Sequence, residues 1–452
     1  MIYLTIQPLY TFVKLEKEPS PAKVIGIINI CCSARPSGFQ YSPAYRNHTW
    51  DGYIKLFKSG KFPSGLARTV ITALEEAGYE LKVKLDYPIQ KYPKVTPECL
   101  HGITLRDYQV EAVNLLLEKT RGIARMATGS GKTEVIAAIL KILPGKAIVL
   151  TTKVDLLYQT ASRLEARLQE EVGTIGDGNR ILDKRVTVAT IQTLSKLPDS
   201  KRFLADMQVV VFDECHHTSS KTAQQVMLNI PAIYRFGFSG TPLDNGELQD
   251  LLLIAATGNV VYDLSASKLA DIGMAARPNI KMYVVNSLAK YNDYQQEYDA
   301  MIINNRDRNE LVARLVEEAE FESALILVER LEHGKILSIL LPEAIYANGS
   351  MPAEVRKDII SDLKKGGRRV VIATPIFDEG VDVPAVDLVV LAGAGKSTIR
   401  IMQRIGRGMR PKAGENVLQV IDFIDSTKYM GKQSLERALL YEKEGFSVEV
   451  IE

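Results

Sequence analysis

From about residue 104 onward, apolar β-branched runs alternate with helical patterns. The first series reads GKAIVLTT (145–152), RVTVATIQ (185–192), MQVVVFDE (207–214) and YRFGFSGT (234–241). A strand that is apolar at nearly every position, rather than at every second one, is buried on both faces. That is the property of a parallel sheet covered by helices. A second series follows a helical stretch at 291–322 and reads SALILVE (323–329), AIYANG (344–349), RRVVIAT (368–374), VDLVVLAG (386–393) and NVLQVIDF (416–423). The pattern predicts two parallel-sheet α/β lobes in tandem. Before residue 95 it changes to short apolar runs among Tyr, Pro and Gly, such as KVIGIINICC (23–32), which read as short strands with turns. One helix is expected near 66–78, with Gly78 near its C-terminal end. The segment DYPIQKYPKVTPE (86–98) holds three prolines and reads as a linker. The expected organisation is a small α+β N-terminal domain over 1–95, a first lobe over 96–265 and a second over 266–452.

Composition changes this picture little. The 452 residues are 46% hydrophobic and 24% charged, ordinary values for a globular protein, which excludes disorder of the whole chain. No apolar run reaches the length of a membrane span. The first residues lack a basic start, an apolar core and a cleavage site, so no secretion is expected. Cys31, Cys32, Cys99 and Cys215 match neither a zinc spacing nor a disulfide framework, and a cytoplasmic protein is expected. Charge adds one feature. Residues 1–100 hold 13 Lys and Arg against 8 Asp and Glu, and 13 of the 32 aromatic residues. Basic charge interleaved with rings suits a polyanion whose bases stack, and it equally suits a small β-rich core. Trp50 and Lys55 are the candidate contacts. Alternation along YIKLFK would place Tyr53, Lys55 and Phe57 on one face of a strand–turn–strand unit.

Three motifs carry chemistry. Met126-Ala127-Thr128-Gly129-Ser130-Gly131-Lys132-Thr133 precedes the helical pattern EVIAAILKIL. Glycines let the backbone wrap a phosphate, the helix N-terminus supplies amide donors, and a lysine reaches the β- and γ-phosphates. Met126 stands where the general pattern has glycine. The hydroxyl of Thr133 suits Mg²⁺. Next, Val209-Val210-Val211-Phe212-Asp213-Glu214 delivers two acids at the carboxyl end of an apolar strand, where parallel sheets bind ligands. There Asp213 would hold the metal and Glu214 would polarise the attacking water. Third, Gln403-Arg404-Ile405-Gly406-Arg407-Gly408-Met409-Arg410-Pro411 sets arginines at i, i+3 and i+6. Glycines interrupt that row, as suits arginine fingers better than a plain helix face. A second glycine-rich run, Ala392-Gly393-Ala394-Gly395-Lys396-Ser397-Thr398, follows an apolar strand and also looks like a phosphate loop, but no acid pair follows it on a later strand in the usual way, and it reads as a plain loop.

In this order and spacing, TGSGKT, DECH, SGTP (239–242) and QRIGRGMR resemble motifs I, II, III and VI of the DEAD/H-type helicases of superfamily 2. Leu105-Arg106-Asp107-Tyr108-Gln109 resembles their adenine-reading segment, 148–159 motif Ia, 188–193 motif Ib, and 372–374 with 379–384 motif V. The resemblance covers about 104–425. It is nearest to the UvsW-like phage helicases, near the XPB group, through L-R-x-Y-Q, D-E-C-H, Trp50-Asp51-Gly52 and Phe62-Pro63-Ser64-Gly65-Leu66. No R-E-D tripeptide of the XPB group stands between the motifs.

The resemblance implies two RecA-like lobes and an ATP-driven, monomeric nucleic-acid motor that uses ATP and Mg²⁺. It implies ATP contacts from Arg106, Gln109, Thr128, Gly129, Ser130, Gly131, Lys132 and Thr133, with Gly380 and Asp382 on the ribose side. Lys132, Asp213, Glu214, Gln403, Arg407 and Arg410 would be catalytic. The metal would lie on Thr133 and Asp213. The nucleic acid would lie on Thr152, Lys153, Thr190, Gln192 and Thr374. His216, Ser239 and Thr241 would couple the two sites. The expected substrate is branched DNA (forks, junctions, R-loops), with single- or double-stranded DNA or RNA as other partners and no membrane. A restriction-type motor subunit, an RNA helicase and a non-enzymatic ATP-gated clamp are the alternative readings.

Overall fold

A computed structural model describes residues 1–198, 200–216, 221–243, 246–364, 369–374, 386–393 and 417–452. The chain divides into two compact units, one of 1–126 and 131–263, the other of 127–130 and 264–452.

The first unit opens with an antiparallel hairpin, β1 (Ile2–Ile6) and β2 (Tyr10–Leu15). A two-stranded ribbon follows, β3 (Ser33–Ala34) with β4 (Ile54–Lys55). Strands β5 (Lys61–Pro63) and β6 (Leu81–Leu85) complete a four-stranded sheet in the order β5-β2-β1-β6. Ile2, Leu4 and Ile6 alternate inward and pack with Phe62 against Val24 and Ile28 of one helix and Val70 and Leu74 of another.

Two expectations fail here. The run KVIGIINICC is not a strand but lies in the helix Pro21–Cys31. Its β-branched residues suit a strand, and a short apolar run has no period that separates the two states. Pro21 at the first helical position and the buried pair Val24 and Ile28, one turn apart, settle it as a helix. The strand over YIKLFK shrinks to Ile54–Lys55, and its alternation is lost. Tyr53, Ile54 and Lys55 are all exposed, whereas Leu56 and Phe57 both pack on the core, Phe57 edge-on to Phe62 at 6.4 Å. Gly52 turns the chain before it at φ +83°, where a Cβ would stand 2.9 Å from the Phe39 ring. The helix Ala67–Glu76 falls where expected.

Segment 86–98 forms neither helix nor strand and is tied to the first lobe by particular contacts. Val95 is buried and its N–H donates to Asn114 Oδ1 at 2.9 Å, and the Tyr92 ring meets Tyr234 at 6.1 Å. The N-terminal sheet and helices also share their core with the helix Glu247–Thr257, through Leu251, Ile254 and Ala255.

The rest of this unit is an eight-stranded sheet made of β7 (Arg121–Met126), β8 (Ala147–Thr151), β9 (Val172–Gly176), β10 (Asn179–Arg180), β11 (Val186–Thr190), β12 (Val209–Asp213), β13 (Tyr234–Ser239) and β14 (Val260–Leu264). The order is β10-β9-β11-β8-β12-β13-β7-β14. From β9 to β7 every neighbouring pair is parallel. Strands β8, β11, β12 and β13 fall on the four runs read from the sequence and are buried at every position.

The second unit carries a seven-stranded sheet made of β15 (Arg277–Val285), β16 (Ser323–Leu327), β17 (Ile345–Ala347), β18 (Arg369–Ala373), β19 (Leu388–Val390), β20 (Val417–Asp425) and β21 (Ser447–Ile451). Its order is β17-β18-β16-β19-β20-β15-β21, parallel throughout. Arg308 and Arg437, both buried, pair with Asp425 at 2.6 Å and Asp422 at 2.8 Å, so these four charges are compensated inside the core. The architecture is α/β, with two tandem parallel-sheet lobes preceded by a small α+β domain. Among the described residues, no helix is long and apolar enough to cross a membrane.

Candidate nucleotide site and nucleic-acid interface

Strand β7 ends at Met126, and the helix Lys132–Ile142 begins six residues later. Between them the loop of Ala127, Thr128, Gly129, Ser130 and Gly131 turns through left-handed backbone at Gly129 (φ +83°) and Gly131 (φ +81°). Such angles are open to glycine at no steric cost. Gly131 is required twice over. A Cβ there would stand 2.3 Å from Nε2 of Gln109, which is buried and whose Oε1 accepts the N–H of Arg106 at 2.9 Å. The Arg106 guanidinium in turn donates to Tyr108 Oη at 2.9 Å. The segment preceding the loop in sequence therefore lies against it in space.

The two acids arrive on β12, two strands from β7, with β13 between. Lys132 Nζ donates to Glu214 Oε1 at 2.9 Å. Glu214 has φ +51°, strained for a residue with a Cβ, and its N–H donates to Asp213 Oδ1 at 3.0 Å. His216 Nδ1 lies 3.4 Å from Glu214 Oε2 and 2.9 Å from Ser239 Oγ, at the end of β13. Ser239 Oγ also accepts the N–H of Thr241 at 3.1 Å. A continuous polar chain thus runs Lys132–Glu214–His216–Ser239–Thr241 across three adjacent strands. Sequence reading placed these residues in three separate motifs.

The electrostatics follow from burial. Desolvation, then the neighbouring Glu214, pushes the Asp213 carboxyl up to about 6 against the opposing pull of Lys132. Burial alone would lower the Lys132 ammonium, but Glu214 and Asp213 outweigh it and raise it, so it stays charged. Burial drives the Cys215 thiol far above its ordinary range, as befits a packing residue under Gly237.

A hard divalent cation fits the oxygen donors here. Asp213 is a desolvated carboxylate in need of positive charge, and Thr133 offers a hydroxyl in the first turn of the helix. Among the described residues, no group of three or more His, Cys, Asp or Glu side chains is placed to hold a metal by itself. Phosphate oxygens and water would therefore supply the remaining ligands, which is the usual habit of Mg²⁺.

Strands β8 and β11 are parallel neighbours with Thr190 opposite Thr151. Thr152, Lys153, Thr190 and Gln192 therefore share one carboxyl edge. Lys153 and Gln192 are exposed, and Thr190 Oγ1 donates to Thr193 Oγ1 at 2.9 Å. Thr374 belongs to the other unit, buried just after β18, with its N–H on Ala347 O. In the N-terminal domain, Trp50 Nε1 donates to Tyr53 O at 2.9 Å and Lys55 pairs with Asp51 at 2.5 Å. Both polar groups are satisfied internally. Gly380, Asp382, Lys396, Gln403, Arg407 and Arg410 lie outside the described residues. One anchor escaped sequence reading. Glu134, buried in the first turn after Lys132, takes the Arg167 guanidinium at 2.8 Å and fixes that turn. An acid directly after G-K-T was its only signal.

The family model for the type III restriction enzyme res subunit matches residues 102–244, and that for the helicase conserved C-terminal domain matches 307–412. The chain is 28% identical over 368 residues to the DNA 3'-5' translocase XPB2 of Sulfurisphaera tokodaii, covering 70% of this chain and 81% of that one. It is 26% identical over 435 residues to the ATP-dependent DNA helicase uvsW of Enterobacteria phage T4, covering 87% and 85%. A solved structure of the ATP-dependent type ISP restriction-modification enzyme LlaBIII bound to DNA shares the fold, with a TM-score of 0.60 at 16% identity over 85% of this chain and 34% of that one.

Proposed function

The chain belongs to the superfamily 2 helicases, close to the UvsW and XPB proteins, and on that premise we propose that it is an ATP-dependent DNA helicase that remodels branched DNA. The observation that carries the reading is the Lys132–Glu214–His216–Ser239–Thr241 chain. It joins the phosphate-reaching lysine to the water-orienting acid, and that acid to the end of a neighbouring strand.

Lys132 and the amides of 128–133 bind the phosphates, while Gln109 and Arg106 read the base. Glu214 orients water for in-line attack on the γ-phosphorus. Asp213 and Thr133 hold Mg²⁺, which when bound neutralises charge on the transferring phosphoryl group. Lys132 donates to Glu214. A γ-phosphate competes for that ammonium and frees the carboxylate for water. Movement of Glu214 is then felt at His216 and Ser239, which is how hydrolysis reaches the nucleic-acid edge. Gln403, Arg407 and Arg410 act on charge developing in the transition state, and Gly380 and Asp382 contact the ribose. In the first unit the strand runs over Thr152, Lys153, Thr190 and Gln192, which grip phosphate and so carry no sequence preference, and Thr374 is the phosphate contact of the second unit. The N-terminal domain, with Trp50 and Lys55, docks the branch.

Strand separation on a synthetic fork, followed by native gel, tests this. The full chain with ATP and Mg²⁺ separates the arms, Lys132→Ala does not, and Lys396→Ala does. Separation by Lys132→Ala, or its loss only in Lys396→Ala, overturns the assignment of the phosphate loop.

A further inference from the structure

The four-stranded N-terminal sheet has helices on one face only. Ile2, Leu4 and Ile6 of β1 turn toward the helices Pro21–Cys31 and Ala67–Glu76, so Tyr3 and Thr5 turn away from them. The register places the rest of that outer face. Tyr3 stands between Lys14 of β2 and Lys82 of β6. Thr5 stands between Phe12 and Lys84, and Phe12 stands opposite Lys61 of β5. Tyr10 lies at the near end of the same row, opposite Pro63. Rings and lysines therefore interleave across the whole face. Lys61 Nζ sits 4.5 Å from the Tyr10 centroid and 5.8 Å from that of Phe12, and Lys82 Nζ sits 5.5 Å from that of Tyr3.

The face is open, with Phe12 39% exposed and Lys14, Lys82 and Lys84 exposed. Two carboxylates share it, both toward its ends. Glu16 takes Lys14 at 2.5 Å, and Asp86 accepts from Gln7 Nε2 at 2.9 Å. Among the described residues, Lys61 and Lys84, flanking Phe12 and Thr5 in the middle row, take part in no ion pair. An apolar ring costs free energy in water, and here three lie together on a face that leaves four lysines against two acids.

We propose that this outer sheet face, through Tyr3, Tyr10 and Phe12 with Lys61, Lys82 and Lys84, is a stacking platform for single-stranded DNA. Bases stack on flat rings whatever their identity, and the flanking ammonium groups follow the phosphates. A duplex hides its base faces and has no use for such rings. The platform gives the docking role of the N-terminal domain a surface distinct from Trp50 and Lys55. It rests on the DNA-motor reading for the identity of the strand, which in a fork would be an exposed single-stranded arm.

The test is fluorescence anisotropy of a labelled 15-mer oligo(dT) and of a blunt 20-base-pair duplex, with the full chain and without nucleotide, over a salt series. Phe12→Ala weakens oligo(dT) binding about tenfold, and adding Tyr3→Ala deepens the loss, while duplex binding stays within twofold. Lys61→Gln and Lys84→Gln each make the slope of log K against log salt shallower by about 0.7 for the single strand. Phe12 and Lys84 are exposed and Tyr3 and Lys61 half-buried, and circular dichroism checks that each variant folds. Wild-type oligo(dT) affinity in both Phe12→Ala and Lys61→Gln overturns the proposal, as does an equal loss on the duplex. The two readings fail separately. An ATPase that ignores DNA sinks the motor, whereas oligo(dT) binding without nucleotide reads the platform alone.

Discussion

Glu214 holds left-handed backbone at φ +51°, a geometry that costs a residue with a Cβ about 1–3 kcal/mol. The strain turns its carboxylate back toward Lys132 while Asp213 stays on the line of β12. Glu214→Gln keeps the shape and loses the charge. Nucleotide affinity should stay within a few-fold and turnover should fall by about 10²-fold or more. Turnover within tenfold of wild type would show that Glu214 does not orient the water. Asp213 has a pH signature. Its carboxyl is raised to about 6 in the fold against 3.8 for the free group, so its ionised form costs stability above about pH 6. That cost is relieved as pH falls through 6 toward 3.8, because the native state then binds the extra proton. In the nucleotide- and metal-free protein, wild type should therefore gain on Asp213→Asn by about 1 kcal/mol between pH 7.5 and 5 in denaturant unfolding. A difference that is flat with pH would mean that the carboxyl titrates as in water. The residue types of this site were legible because phosphate chemistry restricts them severely. What no spacing conveys is the backbone angle of Glu214, or that its carboxylate pairs with Lys132.

At the level of elements, the buried strands were the readable part. The β8, β11, β12 and β13 runs are apolar at almost every position because helices cover both faces. Strands β7 and β9 escaped because Gly122, Arg125, Gly173 and Gly176 break their apolar runs. The helix Pro21–Cys31 was misread because its composition is that of a strand and only tertiary packing decides it. The segment F-P-S-G-L was noticed as a family likeness, and its physical reason lies in the docking of the N-terminal domain. A Cβ on Gly65 would stand 2.0 Å from Ile254 O and 2.5 Å from Ala255 O, both backbone atoms that cannot step aside. Gly65→Ala should lower stability by about 1–3 kcal/mol. It should also loosen the 86–98 strap, seen as faster tryptic cleavage after Lys91 and Lys94. An unchanged unfolding midpoint and cleavage rate would show that the contact yields freely.

For the whole molecule, tandem parallel-sheet lobes were readable from periodicity alone, and the motor from the order of its motifs. The α+β class of the N-terminal domain was readable too, but its strand order was not, because its sheet pairs β1 with both an early and a late strand, a topology no local pattern encodes. The central claim is that the site around Lys132 and Glu214 hydrolyses ATP in the service of DNA. The measurement closest to it is the steady-state ATPase rate of the full chain with Mg²⁺ alone and with single-stranded DNA, duplex DNA, forked DNA and RNA added side by side. DNA should raise the rate at least tenfold, forks most of all, and Glu214→Gln should abolish the rise. A rate indifferent to every DNA, or raised by RNA alone, would contradict it.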